Sequence, residues 1–301
     1  MDSPRHNYAE KIEALLENPH ADPASHATYN IHEAAENGHT EVVRLLLADP
    51  RTDPAAQNND AIVLAAENGH VEIVKLLLAD PRVDPTAENN YAIVWASENG
   101  HTEVVELLLK DPRVDPSVDN NYAIKWASIH GHTEAVELLL KDPRVDPATS
   151  GDSSIVWASK YGHIDIVELL LRDPRVDPSA DDDFAIKWAS IHGHVEIVEL
   201  LLNDPGVDLA VQDHYAIVYA SQNGHVEVVE LLLNALKHRF NIAKYTEILA
   251  EVDESPSEIL PEIKELLIDH IIKHQWIIKT FINQHLTTDL ASQINHFIIT
   301  N

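Results

Sequence analysis

Imidazole can ligate metal and carry protons, so histidine is the residue in this chain whose spacing first invites a chemical reading. His39, His70, His101, His132, His163, His194 and His225 recur every 31 residues. Zinc holds nitrogen ligands at about 2 Å, whereas packed helices lie roughly 8 to 10 Å apart, so histidines one repeat from the next cannot share an ion. They are expected to be structural, hydrogen-bonding near the start of a helix. Two tighter pairs, His130/His132 and His192/His194, lack a third ligand. His32-Glu33-Ala34-Ala35-Glu36 echoes a zinc-protease helix, but Glu36 stands where the second His must be. No metal and no cofactor are expected.

These columns need elements to position them, and the period supplies them. Gly38, Gly69, Gly100, Gly131, Gly162, Gly193 and Gly224 share the 31-residue spacing, as do Pro19, Pro50, Pro81, Pro112, Pro143, Pro174 and Pro205. Residues 91 to 121, YAIVWASENGHTEVVELLLKDPRVDPSVDNN, form one full unit, and residues 11 to 23 match only its second half. The array therefore opens with half a unit and continues with seven complete ones. Tyr91 to Ser97 predicts a first helix, ended by Gly100 in a left-handed conformation. His101 to Lys110 predicts a second, with an apolar face of Val104, Val105, Leu107, Leu108 and Leu109 and with Glu103 in its first turn. Pro112 disfavours helix at Asp111 and ends it. Asn89-Asn90, Asn120-Asn121 and Asp182-Asp183 tolerate the positive φ of a hairpin turn. Two such helices leave one apolar side uncovered, so units must stack.

Composition narrows the partners. Among 301 residues, 50 Asp and Glu stand against 21 Lys and Arg, a formal charge of −29 that repels nucleic-acid phosphates and anionic lipid. Cysteine is absent, which removes disulfides and thiol chemistry and fits a reducing compartment. Met1 to Glu17 lacks the basic and apolar regions of a signal peptide, and no stretch approaches 18 apolar residues. A cytoplasmic protein is expected.

Position by position, the columns separate core from surface. Leu64, Trp95, Trp126, Trp157, Trp188 and Tyr219 are expected to form a ladder in the core, because so much aromatic surface is rarely left exposed. Arg51, Arg82, Arg113, Arg144 and Arg175 alternate with Asp53, Asp84, Asp115, Asp146 and Asp177, which reads as a ladder of exposed ion pairs. The column that begins Arg44, Lys75 becomes Glu106, Glu137, Glu168, Glu199 and Glu230: either a solvated outer face or a docking face for a basic partner.

NGHTEVVELLL and its counterparts resemble the second helix of the ankyrin repeat, and AIVWAS stands where that family has TPLHLAA, across residues 8 to 236. The unit is 31 residues instead of 33, and the Thr-Pro-Leu-His segment is missing. The DPRVDP linker is also similar to repeat-rich ankyrin proteins of giant viruses and of bacteria living inside amoebae, which would place the chain in a host cytoplasm. The resemblance implies an all-α, ankyrin-type helical repeat solenoid with short hairpin-like loops. It also implies that the two residues before each glycine line a concave surface that holds partners. Here they read Glu36-Asn37, Glu67-Asn68 and Glu98-Asn99, then Ile129-His130, Lys160-Tyr161 and Ile191-His192, then Gln222-Asn223. Lys125 and Lys187 stand nearby. Ile129, His130, Lys160, Tyr161, Ile191, His192, Lys125 and Lys187 are the candidate partner-binding residues; alternatively Ile129 and Ile191 pack between units and the rest is drift.

The period fails after Leu233. Ile242 to Val252, Ile259 to Leu286 and Thr288 to Ile299 read as further helices, so residues 1–236 form the array and 237–301 a helical C-terminal cap or small accessory domain. Leu260-Pro261-Glu262-Ile263 followed by Leu266-Leu267 loosely resembles the opening of F-box-like helices, which would make the chain an adaptor recruiting a ubiquitin-ligase component. A small enzymatic domain is the third reading, but the segment offers no Gly-rich phosphate loop, nucleophile elbow or paired metal ligands. The expectation is a monomeric, non-catalytic protein-interaction scaffold.

Overall fold

The structure, a computed structural model, describes residues 30–149, 154–205, 207 and 214–236, together with 247–248, 250–252, 261–270 and 272. The expected N-terminal half repeat and most of the expected C-terminal helices lie outside the described residues. Among the described residues every regular element is a helix, and the array helices come as one pair per repeat. The pairs are α1 (Ile31–Glu36) and α2 (Thr40–Ala48), α3 (Ala56–Glu67) and α4 (Val71–Ala79), α5 (Ala87–Glu98) and α6 (Thr102–Lys110), α7 (Val118–His130) and α8 (Thr133–Leu140). They continue with α9 (Ser154–Tyr161) and α10 (Ile164–Leu171), α11 (Ala180–His192) and α12 (Val195–Asn203), α13 (His214–Gln222) and α14 (Val226–Leu236).

The chain divides into two compact units, Met1–Ala158 with Asp165–Val176, and Ser159–Ile164 with Asp177–Asn301. In the first, α1, α3, α5 and α7 pack side by side, α2, α4, α6 and α8 do the same, and each first helix packs on its own second helix. In the second, α11 packs on α12 and α13, α14 packs on α12 and α13, and the same two-row pattern results.

Local chemistry explains each boundary. Gly100 adopts φ +71° and turns the chain from α5 into α6, a conformation that costs other residues a Cβ clash. Asp111, extended at φ −82° and ψ 116°, ends α6 before Pro112. The loop then makes a left-handed turn of three successive residues: Glu88–Asn90, Asp119–Asn121 and Asp181–Asp183 all have positive φ, as do Gln57–Asn59. Left-handed backbone costs an L-residue roughly 1–2 kcal/mol, least for Asn and Asp. The last Asn of the turn recovers part of this: Asn59, Asn90 and Asn121 accept the amides of Asp84, Asp115 and Asp146 in the next repeat, each at 2.8 Å. Positive φ was expected at the Asn and Asp pairs. Among the described residues no paired strands flank the turn.

The core corrects one expectation. Trp95, Trp126, Trp157 and Trp188 are half-buried, and Tyr219 is 44% exposed. The core positions are filled instead by Ile62, Ile93, Ile124 and Ile155 in the first unit and by Ile186 and Ile217 in the second, each buried to within 1%. Two residues along a helix turn through about 200°, so when Ile93 and Ala96 face inward Trp95 must face away. Second helices complete the core with Val104, Val105 and Leu108 and their equivalents.

Candidate partner-binding face

The histidine column is a set of staples between repeats. Nε2 of His70 donates to the Glu36 carbonyl (2.8 Å), His101 to Glu67 (2.9 Å) and His132 to Glu98 (2.8 Å). In the second unit His194 bonds the Lys160 carbonyl (3.1 Å) and His225 the Ile191 carbonyl (3.0 Å). Each ring lies against the glycine of the preceding repeat: a Cβ on Gly69 would stand 2.5 Å from His101 Nδ1. The Gly-His dipeptide is thus kept for two contacts at once. Burial holds the His194 imidazole below its ordinary value, because the cation loses water there. Among the described residues no three His, Cys, Asp or Glu side chains gather to hold a metal.

The linker arginines pair differently from the ladder expected with Asp53, Asp84, Asp115, Asp146 and Asp177. The direct partners are the aspartates two residues earlier, Asp49, Asp80, Asp111, Asp142 and Asp173, at 2.5–2.6 Å. The arginine fork also crosses to the preceding repeat: Nη1 of Arg82, Arg113, Arg144 and Arg175 donates to the carbonyls of Thr52, Val83, Val114 and Val145. A guanidinium bound to its Asp on one edge still has donors for a carbonyl on another, which a short alternating sequence pattern does not reveal. The Arg hydrogen bond holds the carboxyls of Asp80, Asp111, Asp142 and Asp173 below the usual carboxylate range. The other aspartates serve the turns; Asp84 and Asp115 accept the hydroxyls of Thr86 and Ser117, each at 2.7 Å.

On the second helices, the acidic column is partly neutralised one turn on. Glu106, Glu137 and Glu168 meet Lys110, Lys141 and Arg172 at 2.7–2.9 Å, all exposed pairs of small worth.

The first helices carry a second aromatic row one turn before the tryptophans. In the first unit Tyr122 meets Trp126 edge-on at 6.5 Å, Trp126 stacks on His130 at 5.6 Å, and His130 stacks on His132 at 6.2 Å. Lys125 places its Nζ 5.1 Å from the Tyr122 ring and 5.5 Å from the Trp157 ring. Ile129 is half-buried and His130 exposed.

In the second unit Lys160 Nζ stands 4.4 Å from the Trp188 ring and 5.5 Å from that of Tyr161. His192 packs on Trp188 at 5.6 Å and stacks on His194 at 6.0 Å. Lys187 lies 5.7 Å from the Phe184 ring and donates to the Asp182 carbonyl. Ile191 is half-buried, while Tyr161, Phe184 and Tyr215 are 46–47% exposed. Lys160 and His192 are thus gathered about one indole, whereas Lys125, Ile129 and His130 belong to the other unit. His130 and His192 have a structural task as well: their Nδ1 atoms donate to the carbonyls of Trp126 and Trp188, where Asn68 and Asn99 donate from Nδ2 in other repeats. The sequence reading missed Phe184, Tyr122 and Tyr215; their spacing of four before Trp188, Trp126 and Tyr219 is the signal that places them on one helix side.

Comparison with known proteins completes the assignment. The crystal structure of the human ASB11 ankyrin repeat domain is similar at 18% identity, over 80% of this chain and 96% of that one, with a TM-score of 0.45. No curated protein matches significantly. A family model described as "Ankyrin repeats (3 copies)" matches residues 5–89, 31–120, 62–150, 93–182 and 155–244. Overlapping matches across most of the chain agree with paired helices, the glycine turns and the stacked repeats: the chain belongs to the ankyrin repeat family.

Proposed function

We propose that the chain is a non-catalytic scaffold that holds a partner protein on the exposed side of its first helices in repeats five to seven. Ankyrin repeats are in general protein-interaction modules. The observation that carries the reading is a set of exposed rings: Tyr161, Phe184 and Tyr215 keep nearly half their surface in water although the same helices bury Ile155, Ile186 and Ile217 completely. Rings held by neighbouring lysines and by regular helix have little rotamer freedom to lose, which lowers the cost of binding. Aromatic residues also dominate interface hot spots. Affinity capture with the intact chain and with Tyr161→Ala/Phe184→Ala tests this. Each truncation should weaken the specific partner by about 1–2 kcal/mol with little change in melting temperature. Retention of the same proteins at the same affinity by both forms rejects the face.

Residues 237–301 are read as closing the array. Ile248, Val252, Ile263 and Leu267 are completely buried, as a cap requires. Burial of Ile263 and Leu267 commits part of the F-box-like stretch to packing; Leu260 lies outside the described residues. An adaptor role is favoured by Ile268 and Ile272, 45% and 57% exposed. Deleting residues 256–301 separates the two. A cap is lost together with stability and solubility, whereas an adaptor keeps its target and loses one partner.

A further inference from the structure

We infer that the partner segment seated on the second unit's first-helix face is an acidic peptide with aromatic side chains. This rests on the proposed interaction face and names its ligand chemistry.

The argument is one of charge segregation. The chain carries −29 overall, yet Ser159–Tyr161, Phe184–His192 and Tyr215–Gln222 contain no Asp or Glu. The second helices of the same unit hold the carboxylates, Glu196 and Glu199 on α12 and Glu227 and Glu230 on α14. What the first-helix stretches carry instead is Lys160 on Trp188, Lys187 on Phe184, and the exposed His192. An arginine or lysine of a partner would meet the like charges of Lys160 and Lys187. A carboxylate of a partner would pair with ammonium groups already fixed over rings, and its aromatic neighbours would cover Tyr161, Phe184 and Tyr215. Asp181, Asp182 and Asp183 bound the strip at the start of α11, so the acidic part of the peptide belongs at the Lys160–Trp188–His192 end.

Nucleic acid offers anionic charge and stacking bases too. A long phosphate chain, however, runs past the strip into the field of a chain that carries −29 overall, whereas a short peptide needs only the local pairs; with a Debye length of about 8 Å at physiological salt the local field decides.

The test is selection of a random twelve-residue peptide display library on the full chain. Selected peptides and a single-stranded oligonucleotide are then titrated by fluorescence anisotropy. The expected result is enrichment of Asp and Glu with Phe, Tyr or Trp, and binding that falls about tenfold or more in Lys160→Glu/Lys187→Glu and rises in salt dependence with each added acid. Lys160→Met/Lys187→Met should show an intermediate loss, and keeps the apolar stems if charge reversal disturbs folding. Enrichment of basic or uncharged peptides that still require Tyr161 and Phe184 overturns the acidic assignment and leaves the interaction face standing. Peptides indifferent to Tyr161→Ala/Phe184→Ala overturn both, as does a library that yields no binder. Tighter binding of the oligonucleotide than of the acidic peptides also overturns the assignment.

Discussion

At the scale of single residues the Gly-His dipeptide does two jobs that can be separated by measurement. Gly69 has φ +70°, and the His101 ring of the next repeat occupies the space a side chain would need. Gly69→Ala therefore meets a backbone cost of about 1 kcal/mol and a steric cost in addition. His101→Ala removes the ring and its 2.9 Å bond to the Glu67 carbonyl, at about 1–2 kcal/mol. The combined variant should cost less than the sum of the two, because the methyl group then enters the space the ring has left. Urea unfolding of the four proteins measures the coupling. Strict additivity would mean that the ring moves aside freely and that the glycine is needed for its φ alone.

At the scale of the elements, linkers matter more than their exposure suggests. Arg113 binds Asp111 through one edge of its fork and the Val83 carbonyl through Nη1 at 2.9 Å, joining two successive loops. Lys110, by contrast, reaches only Glu106 within its own helix. Arg113→Ala should cost about 1–2 kcal/mol and Lys110→Ala about 0.3–0.5 kcal/mol in chemical denaturation. Arg113→Lys should resemble the alanine variant, since an ammonium cannot serve both partners in the geometry of a fork. Equal small losses for all three would remove the arginine from the account of stacking. This element also shows where the sequence was readable and where it was not. Period, glycine turns and proline stops follow from residue type, and so do the two helices. The acceptor of Arg113 is a backbone carbonyl, which any residue would supply, so no spacing of side chains announces it. The tryptophan column was misplaced for a related reason: a first helix of about two turns is too short for periodicity alone to choose between Ile93 and Trp95 as its inward residue. Of the binding face, the change from Glu67 and Glu98 to Ile129, Lys160 and Ile191 was visible in sequence, whereas the perching of Lys160 on Trp188 required coordinates.

At the scale of the whole molecule, two consequences of acid oppose each other. The net charge of −29 falls toward zero near a pI of about 4.8, and the fading self-repulsion favours the compact chain as pH falls. His194 acts the other way. Its folded pKa lies below the ordinary 6.5, so the unfolded chain takes up its proton first; the associated stability is complete above about pH 6.5 and is lost as pH falls through the folded value. The arginine-bound Asp80, Asp111, Asp142 and Asp173 enter later, because their carboxyls are held below 3.8 and their contribution persists until the pH drops past that value. His194→Gln leaves every carboxylate in place and removes the imidazole, so the difference between the two melting curves isolates the histidine from the changing net charge. The native chain should be more stable than the variant at pH 8, and the gap should narrow steadily as pH falls from about 6.5 toward 5. A gap that is constant over that range would show that burial of His194 is not coupled to folding. A gap that widens would require the imidazolium to be better accommodated in the folded array than in water, contrary to the burial that strips water from it.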